Sequence, residues 1–423
     1  MGESLQAPRG TRDLLPVDTA RWARVEALLR EVFGRYGYRE LRTPVFEHTE
    51  LYVRGIGEAT DIVGKEMYSF PDRKGRSLTL RPEGTAGVVR SYVEHKLGQG
   101  ERGEAKLFYL GPMFRYERPQ AGRYRQFWQA GAEAIGYGDP AADAESAAML
   151  VTILRELGLN GLQVDINSVG DAETRAGFRA RLQDFVRGWG GTISSESRAR
   201  LETNPLRILD SKDPADAELV AAAPKVTNHL SSRSSAHFAA VLRHLDRLGV
   251  PYEVNKKLVR GLDYYSDTVF EVLSSGLGAQ SAVAGGGRYD GLVGQFQAQA
   301  RPAVGWGMGL DRLTWLLEQA GLAGGDPVAQ VAVCSLGSKA FGRGLGLAQS
   351  LREGGVAVWF DSSGQRSLKN QFKQADAEGC RLALVLGEDE LARGEIGLKD
   401  MRTQEQTAVR LDAVVDDVKR RLA

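Results

Sequence analysis

The chain has 423 residues, with 55 Lys plus Arg against 54 Asp plus Glu, a formal charge of +1 at neutral pH. Its 42% hydrophobic and 26% charged residues are those of a folded globular protein of roughly two to four domains. No run approaches the ~18 apolar residues of a membrane span, and near-zero charge excludes attachment to nucleic acid by bulk basicity, though not by a local basic patch. Glycine, at 51 residues, exceeds its usual share of ~7%, which points to tight turns and close backbone approaches. Cys334 and Cys380 are far apart and lack a CxxC partner, so neither a metal knuckle nor a disulfide framework is expected. The opening MGESLQAPRG has no apolar core of a secretory signal, and a reducing, cytoplasmic setting is expected.

In chain order, Trp22, Val25, Leu28, Leu29, Val32, Phe33 and Tyr36 recur at three- and four-residue steps behind Asp18. That spacing predicts an amphipathic helix over 18–36 capped by Asp18. Gly37 ends it, and 38–47 (YRELRTPVFE) reads as a strand stopped or bent at Pro44. Short strand-like runs recur from 76 to 135, followed by an Ala- and Leu-rich helix over 141–157 and a strand at 164–170. Residues 171–250 turn Arg-, Ala- and Ser-rich and mostly helical, the mark of an insertion. Strand-like segments return at 252–293, with glycines at 285–287 and a helix from near Gly309. The stretch 321–330 has a linker's composition. Beyond it VAVCSLG, VAVWFD and RLALVLG alternate with helical 339–353 and 366–379, predicting a small parallel βαβ-type domain. The chain thus divides into a β-rich body split between 1–170 and 251–324, a helical insertion at 171–250 and a C-terminal α/β domain at 325–423.

Chemistry concentrates in five stretches. Within 112–128, Arg115, Arg118, Arg123 and Arg125 stand against Glu117 alone, interleaved with aromatic residues. A strand there sets Arg115 and Glu117 on one face, and Gln129, Gly131 and Glu133 on one face of the next, because side chains repeat every second residue. Fixed arginines on strands suit bidentate phosphate or carboxylate binding; a solvated hairpin with surface ion pairs is the plainer alternative. Glu83-Gly84-Thr85 after Pro82 makes a strand-to-helix corner, either a substrate-ammonium site or an ordinary helix cap. Arg260, Asp263, Tyr264 and Tyr265 lie between apolar residues, where a buried Arg needs an anionic ligand or a structural acid. The glycines of 284–293 and 305–309 fit neither the Rossmann nor the P-loop pattern, yet permit packing on a planar ligand. Arg312 then opens a helix, poised for a phosphate or for solvent. The five histidines show no zinc-hydrolase spacing and there is no GxSxG elbow. Catalysis by orientation and charge stabilisation, without a covalent nucleophile, is the expectation.

Together these segments resemble the class II aminoacyl-tRNA synthetases, and among them the histidyl-tRNA synthetase family. FRYER (114–118) with its Arg-rich loop resembles motif 2, GMGLDRL (307–313) motif 3, and the first helix plus RTPVFE (42–47) motif 1. LVRGLDYY (258–265) and AGGGRYD (284–290) are similar to the two histidine-specific motifs. PRGTRDLLP (8–16), RPEGTAG (81–87), NPLRILDSK (204–212) and SLKNQFKQADAEG (367–379) match as well, so the resemblance spans essentially the whole chain. It implies an α+β catalytic domain on an antiparallel β-sheet, a helical insertion and a C-terminal α/β anticodon-binding domain. The implied activity is ATP-dependent ligation of L-histidine to its tRNA through a histidyl-adenylate, releasing AMP and pyrophosphate.

The resemblance also implies roles. Glu83, Thr85 and Gln129 would surround the α-ammonium of histidine, and Glu133, Tyr264, Tyr265 and Tyr289 the imidazole. Arg115 and Arg260 would be the catalytic pair at the ATP α-phosphate, with Arg260 reaching it from the histidine side. Arg312 would hold the γ-phosphate, and Glu117 with the glycines 285–287 and 307, Gly287 and Gly307 among them, would bound adenine and ribose. Mg²⁺ would bridge phosphate oxygens. Gln120 and Arg123 are candidate tRNA acceptor-stem contacts, and motif 1 implies a homodimer. A histidine-sensing regulatory paralogue, a subunit of ATP phosphoribosyltransferase, is the alternative; such proteins usually lack the anticodon domain and the catalytic arginines present here.

Overall fold

In the computed structural model, which describes residues 5–57, 60–98, 100–119, 122–259, 262–274, 282–322 and 329–422, helix α1 (Pro16–Arg35) starts two residues before the expected cap. Pro16 takes the first position, where no N–H donor is needed. Asp18 sits inside the first turn instead, its carboxylate accepting the Leu15 N–H (3.1 Å). The expected strand over 38–47 is two short strands, β1 (Arg39–Glu40) and β2 (Phe46–His48), on either side of Pro44. Helix α2 (Thr49–Ile56) and a π-helical turn at Ile62–Glu66 lead to β3 (Tyr68–Pro71) and β4 (Ser77–Leu80), which join β2 in a three-stranded sheet. Then come α3 (Thr85–Glu94), β5 (Ala105–Phe114), β6 (Gln126–Ile135), α4 (Pro140–Glu156) and β7 (Leu162–Ser168). Helices α5 (Ala172–Arg187), α6 (Ser195–Thr203), α7 (Ala217–Ala222) and α8 (Ser232–Leu248) follow. Strands β8 (Tyr252–Val254), β9 (Ser266–Ser274), β10 (Ala282–Arg288) and β11 (Ala303–Gly309) precede α9 (Leu310–Gln319).

The main sheet has the order β1-β5-β6-β11-β10-β9-β7-β8. Its outer pairs, β1–β5 and β7–β8, are parallel, and the pairs between them are antiparallel. One face carries the core beneath α1, α4, α8 and α9. There Phe33 stacks on Phe108 (4.4 Å) and on Trp306 (5.7 Å). Leu29, Val32 and Phe33 are fully buried, each worth about 1.5–3 kcal/mol over exposure. The opposite face is left for the site.

Helices α5 to α7 enclose a small core of their own around Phe178, Leu182, Ile208 and Leu219. Buried Asp216 pins it, accepting the Ser194 N–H and the hydroxyls of Ser194, Ser197 and Ser211 at 2.5–2.7 Å. Burial alone would raise its pKa, but these donors hold it at about 2. Helix α8 instead packs Phe238, Val241 and Leu245 into the main core beside α4.

The chain separates into two compact units, Met1–Gly324 and Gly325–Ala423. In the second, β12 (Val331–Ser335), α10 (Ser338–Glu353), β13 (Val358–Phe360), α11 (Leu368–Ala377) and β14 (Leu382–Leu386) form the expected parallel arrangement. The sheet is mixed rather than parallel, because α12 (Glu388–Arg393) is followed by antiparallel β15 (Glu395–Asp400) and β16 (Gln406–Arg410) before α13 (Val414–Leu422). Helix α12 is six residues long and stops at left-handed Gly394 (φ 67°). That is too short for the crossover a parallel neighbour needs, so the chain returns antiparallel. Cys334 and Cys380 are both buried here, which pushes their thiols up to about 12 and about 11.

Candidate active site

The floor of the site is laid by alternation on β6 and β11. Gln129, Gly131 and Glu133 lie opposite Gly309, Gly307 and Gly305, while Trp306 and Met308 point into the core behind. The glycines leave the room the two polar side chains occupy. A Cβ on Gly305 would lie 1.8 Å from Glu133 Oε2, and one on Gly307 2.5 Å from Gln129 Nε2. The same holds under Tyr109, whose ring would meet a Cβ on Gly131 at 2.2 Å.

A cavity of about 220 Å³ opens on this floor, lined by Glu83, Thr85, Tyr109, Gln129, Glu133, Tyr264, Tyr265 and Tyr289, with Arg115 at its edge. Its polar groups form one chain. Glu83 is buried and accepts the N–H groups of Thr85 (2.7 Å) and Ala86 (2.8 Å), capping α3. Thr85 Oγ1 donates to Glu133 Oε1 (2.7 Å), and the Tyr289 hydroxyl donates to the other oxygen, Oε2. Burial raises Glu83 above the ordinary carboxylate range against the two backbone donors. It pushes Glu133 up to about 8 despite its hydroxyl donors, with Glu83 adding to the rise. The phenols of Tyr109, Tyr264 and Tyr289 are raised by burial and stay neutral donors. Two buried carboxyls among tyrosines favour a small ligand rich in N–H groups and able to carry positive charge.

A second cavity of about 340 Å³ adjoins the first, lined by Arg115, Glu117, Arg123, Phe127, Glu271 and Arg312 among others. Arg115, Gln129, Gly285 and Gly307 line both. Arg115 is held by its Nε, which donates to Pro82 O (2.7 Å), and lies over Phe127 (5.4 Å). Burial lowers Arg312, Arg123 lowers it further by repulsion, and Glu271 opposes them. Three guanidiniums around one hollow suit a polyanion with a flat base. The N-terminal PRGTRD segment braces this side. Arg12 Nη2 donates to buried Asp311 Oδ1 (3.0 Å), whose Oδ2 accepts the Trp128 N–H (2.8 Å), tying the first turn of α9 to β6. Gly10 O accepts the Arg125 N–H (2.7 Å), and Arg12 lies over Tyr124 (4.8 Å).

The sequence model of the family described as histidyl-tRNA synthetase matches residues 10–190 and 194–313. The chain belongs to the histidyl-tRNA synthetase family. A second model, described as an anticodon binding domain, matches 330–421. The histidine–tRNA ligase of Synechococcus elongatus is 52% identical over 414 residues, 98% of this chain and 94% of that protein. That of a Geobacillus species is 47% identical over 425 residues, 99% of this chain and all of that one. The apo histidyl-tRNA synthetase structure from S. aureus superposes with a TM-score of 0.81 at 36% identity, covering 98% of this chain and all of that chain. The fold expected of the family, an α+β body on an antiparallel-centred sheet with a C-terminal α/β anticodon-binding domain, is the fold observed.

Of the residues the histidyl-tRNA synthetase resemblance singled out, Glu83, Thr85, Glu133, Tyr264, Tyr265 and Tyr289 meet at the smaller cavity and Glu117 and Arg312 at the larger, with Arg115, Gln129 and Gly307 at both. Arg123, expected at the acceptor stem, lines the larger cavity with Arg312. Gly287 lines neither: a Cβ there would lie 2.4 Å from Thr268 O and 3.0 Å from Tyr265 Cδ1, so it serves close packing of β10 on β9. Arg260 and Gln120 lie outside the described residues. Glu83 is the helix cap of the plainer reading, and it also lines the smaller cavity. Tyr109 was missed, although counting back by twos from Arg115 along β5 reaches it. Arg81 was missed too; buried, it donates to Pro112 O (2.7 Å) and Thr43 O (2.9 Å) and fills the space beside Gly111.

Proposed function

We propose that the chain ligates L-histidine to the 3′ end of its tRNA through a histidyl-adenylate. The observation that carries this is the pair of cavities, one acidic and tyrosine-lined, one arginine-lined, sharing a wall at Arg115 and Gln129. In this reading Glu83 and Gln129 take the α-ammonium, and Glu133 with Tyr264, Tyr265 and Tyr289 reads the imidazole. An isostere without ring N–H groups leaves those buried groups unpaired, which is discrimination without editing. ATP occupies the larger hollow, with Arg312 and Arg123 towards its outer phosphates and Glu117, Gly285 and Gly307 around the nucleoside. The histidine carboxylate then meets the α-phosphorus at the shared wall. Arg115, with Arg260 as its proposed partner, stabilises the charge that spreads as the carboxylate attacks in line and pyrophosphate leaves. The 3′-terminal hydroxyl of tRNA next attacks the acyl carbon and AMP departs.

Mg²⁺ fits the donor set. Among the described residues no three His, Cys, Asp or Glu side chains converge as a metal cage, whereas Glu271 lines the larger cavity beside Arg312. One or two carboxylates beside substrate phosphates is how proteins hold this ion. Bound there, it would neutralise phosphate charge. The C-terminal unit, balanced at 14 basic and 14 acidic residues over 326–423, recognises the anticodon by arrangement rather than bulk charge. A homodimer through motif 1 is supported by exposed Val45, Phe46 and Phe70 on and beside the three-stranded sheet. No helix among the described residues is long and apolar enough to cross a membrane, and a cytoplasmic site of action fits two buried thiols. The test is histidine-dependent ATP–pyrophosphate exchange followed by tRNA charging, each with Mg²⁺ supplied. Absence of exchange overturns the ligase assignment; histidine binding without exchange would favour the sensing paralogue.

A further inference from the structure

We propose that the helical insertion shapes the histidine pocket, with Arg175 and Asn204 as positioning residues for the Leu262–Tyr265 turn; this rests on the function proposed above. Three members of that turn, Leu262, Tyr264 and Tyr265, line the smaller cavity. Arg175, in the first turn of α5, donates through Nη1 to the carbonyls of Tyr265 (2.9 Å) and Asp263 (3.4 Å). Those carbonyls flank Tyr264, whose ring stands edge-on to Tyr289 (5.5 Å) and against Tyr265 (4.8 Å). Asn204, just after α6, donates through Nδ2 to Asp263 Oδ1 (2.6 Å).

The insertion also holds the facing wall. Ile62 lines the same cavity, and its neighbour Asp61 accepts from Arg200 (3.1 Å) and Arg207 (3.4 Å), both from the insertion. The two walls meet directly, since the Asp263 N–H donates to Ile56 O (3.3 Å) and a Cβ on Gly57 would lie 2.9 Å from Asp263 Oδ2. One helical element therefore grips both sides of the pocket mouth.

Main-chain anchoring adds to the packing of the two buried tyrosines by holding the backbone from which they project. The side-chain hydrogen bonds of Arg175 and Asn204 reach the turn rather than the insertion's apolar core around Phe178, Leu182 and Leu219, and the thermal melts below separate the insertion's folding from its grip on the turn. Deleting the grip costs histidine recognition before any tRNA is present, because a displaced tyrosine no longer meets the imidazole.

The experiment is histidine-dependent ATP–pyrophosphate exchange without tRNA, with thermal melts and calorimetric titration of histidine alone, on Arg175→Ala, Arg175→Lys, Asn204→Ala and the control Arg187→Ala, whose partner Glu202 lies within the insertion. Arg175→Ala and Asn204→Ala should each raise the histidine KM and Kd roughly tenfold or more, with the ATP KM and kcat within about threefold of wild type. Arg175→Lys should recover part of the loss, since a lysine can still donate to a carbonyl, and Arg187→Ala should match wild type. Histidine constants within twofold of wild type in both alanine variants would overturn the proposal. So would uniform loss of all parameters in Asn204→Ala with an unchanged melt. If wild type itself shows no histidine-dependent exchange, it is the function assignment that has failed.

Discussion

Replacing Tyr289 by Phe would remove one hydroxyl from the smaller cavity and leave the ring. Tyr289 is 1% exposed and its ring meets Tyr264 at 5.5 Å, so an isosteric Phe keeps the packing. What goes is a donor that stabilises the ionised form of Glu133. A hydrogen bond to a charged acceptor contributes about 1.5–3 kcal/mol, and about 1.4 kcal/mol is one pKa unit. The Glu133 pKa should therefore climb from about 8 by roughly one to two. If the carboxylate accepts an imidazole N–H, kcat/KM for histidine follows the ionised fraction of the free protein. At neutral pH it should fall roughly ten- to a hundredfold relative to wild type, and recover as the pH passes the new value. Histidine-dependent pyrophosphate exchange with histidine varied, from about pH 6 to about pH 10, reads this directly. Titration of histidine itself affects both proteins alike and drops out of the ratio. A pH-independent loss, or none, would refute ionised Glu133 as the imidazole acceptor.

Glu133→Gln probes the same carboxyl through stability. Its folded pKa lies above the ordinary 4.5, so the folded chain holds the extra proton from about 4.5 to about 8 and loses stability as pH rises through that window. The variant should therefore gain more Tm over wild type at pH 8 than at pH 5 while losing histidine activation; equal gains would contradict a buried acid. Arg115→Ala should slow adenylate formation at least ~100-fold in single turnover, and a change of a few-fold would mean the α-phosphate lies elsewhere. Gly305→Ala puts a Cβ 1.8 Å from Glu133 Oε2 and 2.5 Å from Ala132 O. It should cost about 1–3 kcal/mol in melting experiments and abolish histidine activation. Gly309→Ala, whose nearest neighbour would be Arg312 Cβ at 4.0 Å, should melt like wild type.

Periodic features were legible. The stripe Trp22–Val25–Leu29–Val32–Phe33 became the buried face of α1, and the two-residue step Gln129–Glu133 became the cavity floor. Contacts between distant segments were not. Arg12 and Asp311 are 299 residues apart, and no local spacing announces that an N-terminal arginine will brace a helix near motif 3. The glycines show the same divide. That 305 and 307 alternate is visible in the sequence, but that they make room for Glu133 and Gln129, whereas Gly287 makes room for a backbone carbonyl, depends on register across strands. Antiparallel β15 escaped because the helix before it is too short to announce itself by period.

The two buried cysteines have a practical side. A thiol must ionise to react, and at about 12 and about 11 Cys334 and Cys380 are almost wholly protonated at neutral pH and shielded from reagents. The unmodified chain should thus be nearly inert to maleimides. It offers a quiet background on which single cysteines, placed on exposed positions of the insertion and of the body, can carry a pair of dyes. The distance between those dyes, followed as histidine, ATP and tRNA are added in turn, would report any change in how the insertion sits on the body.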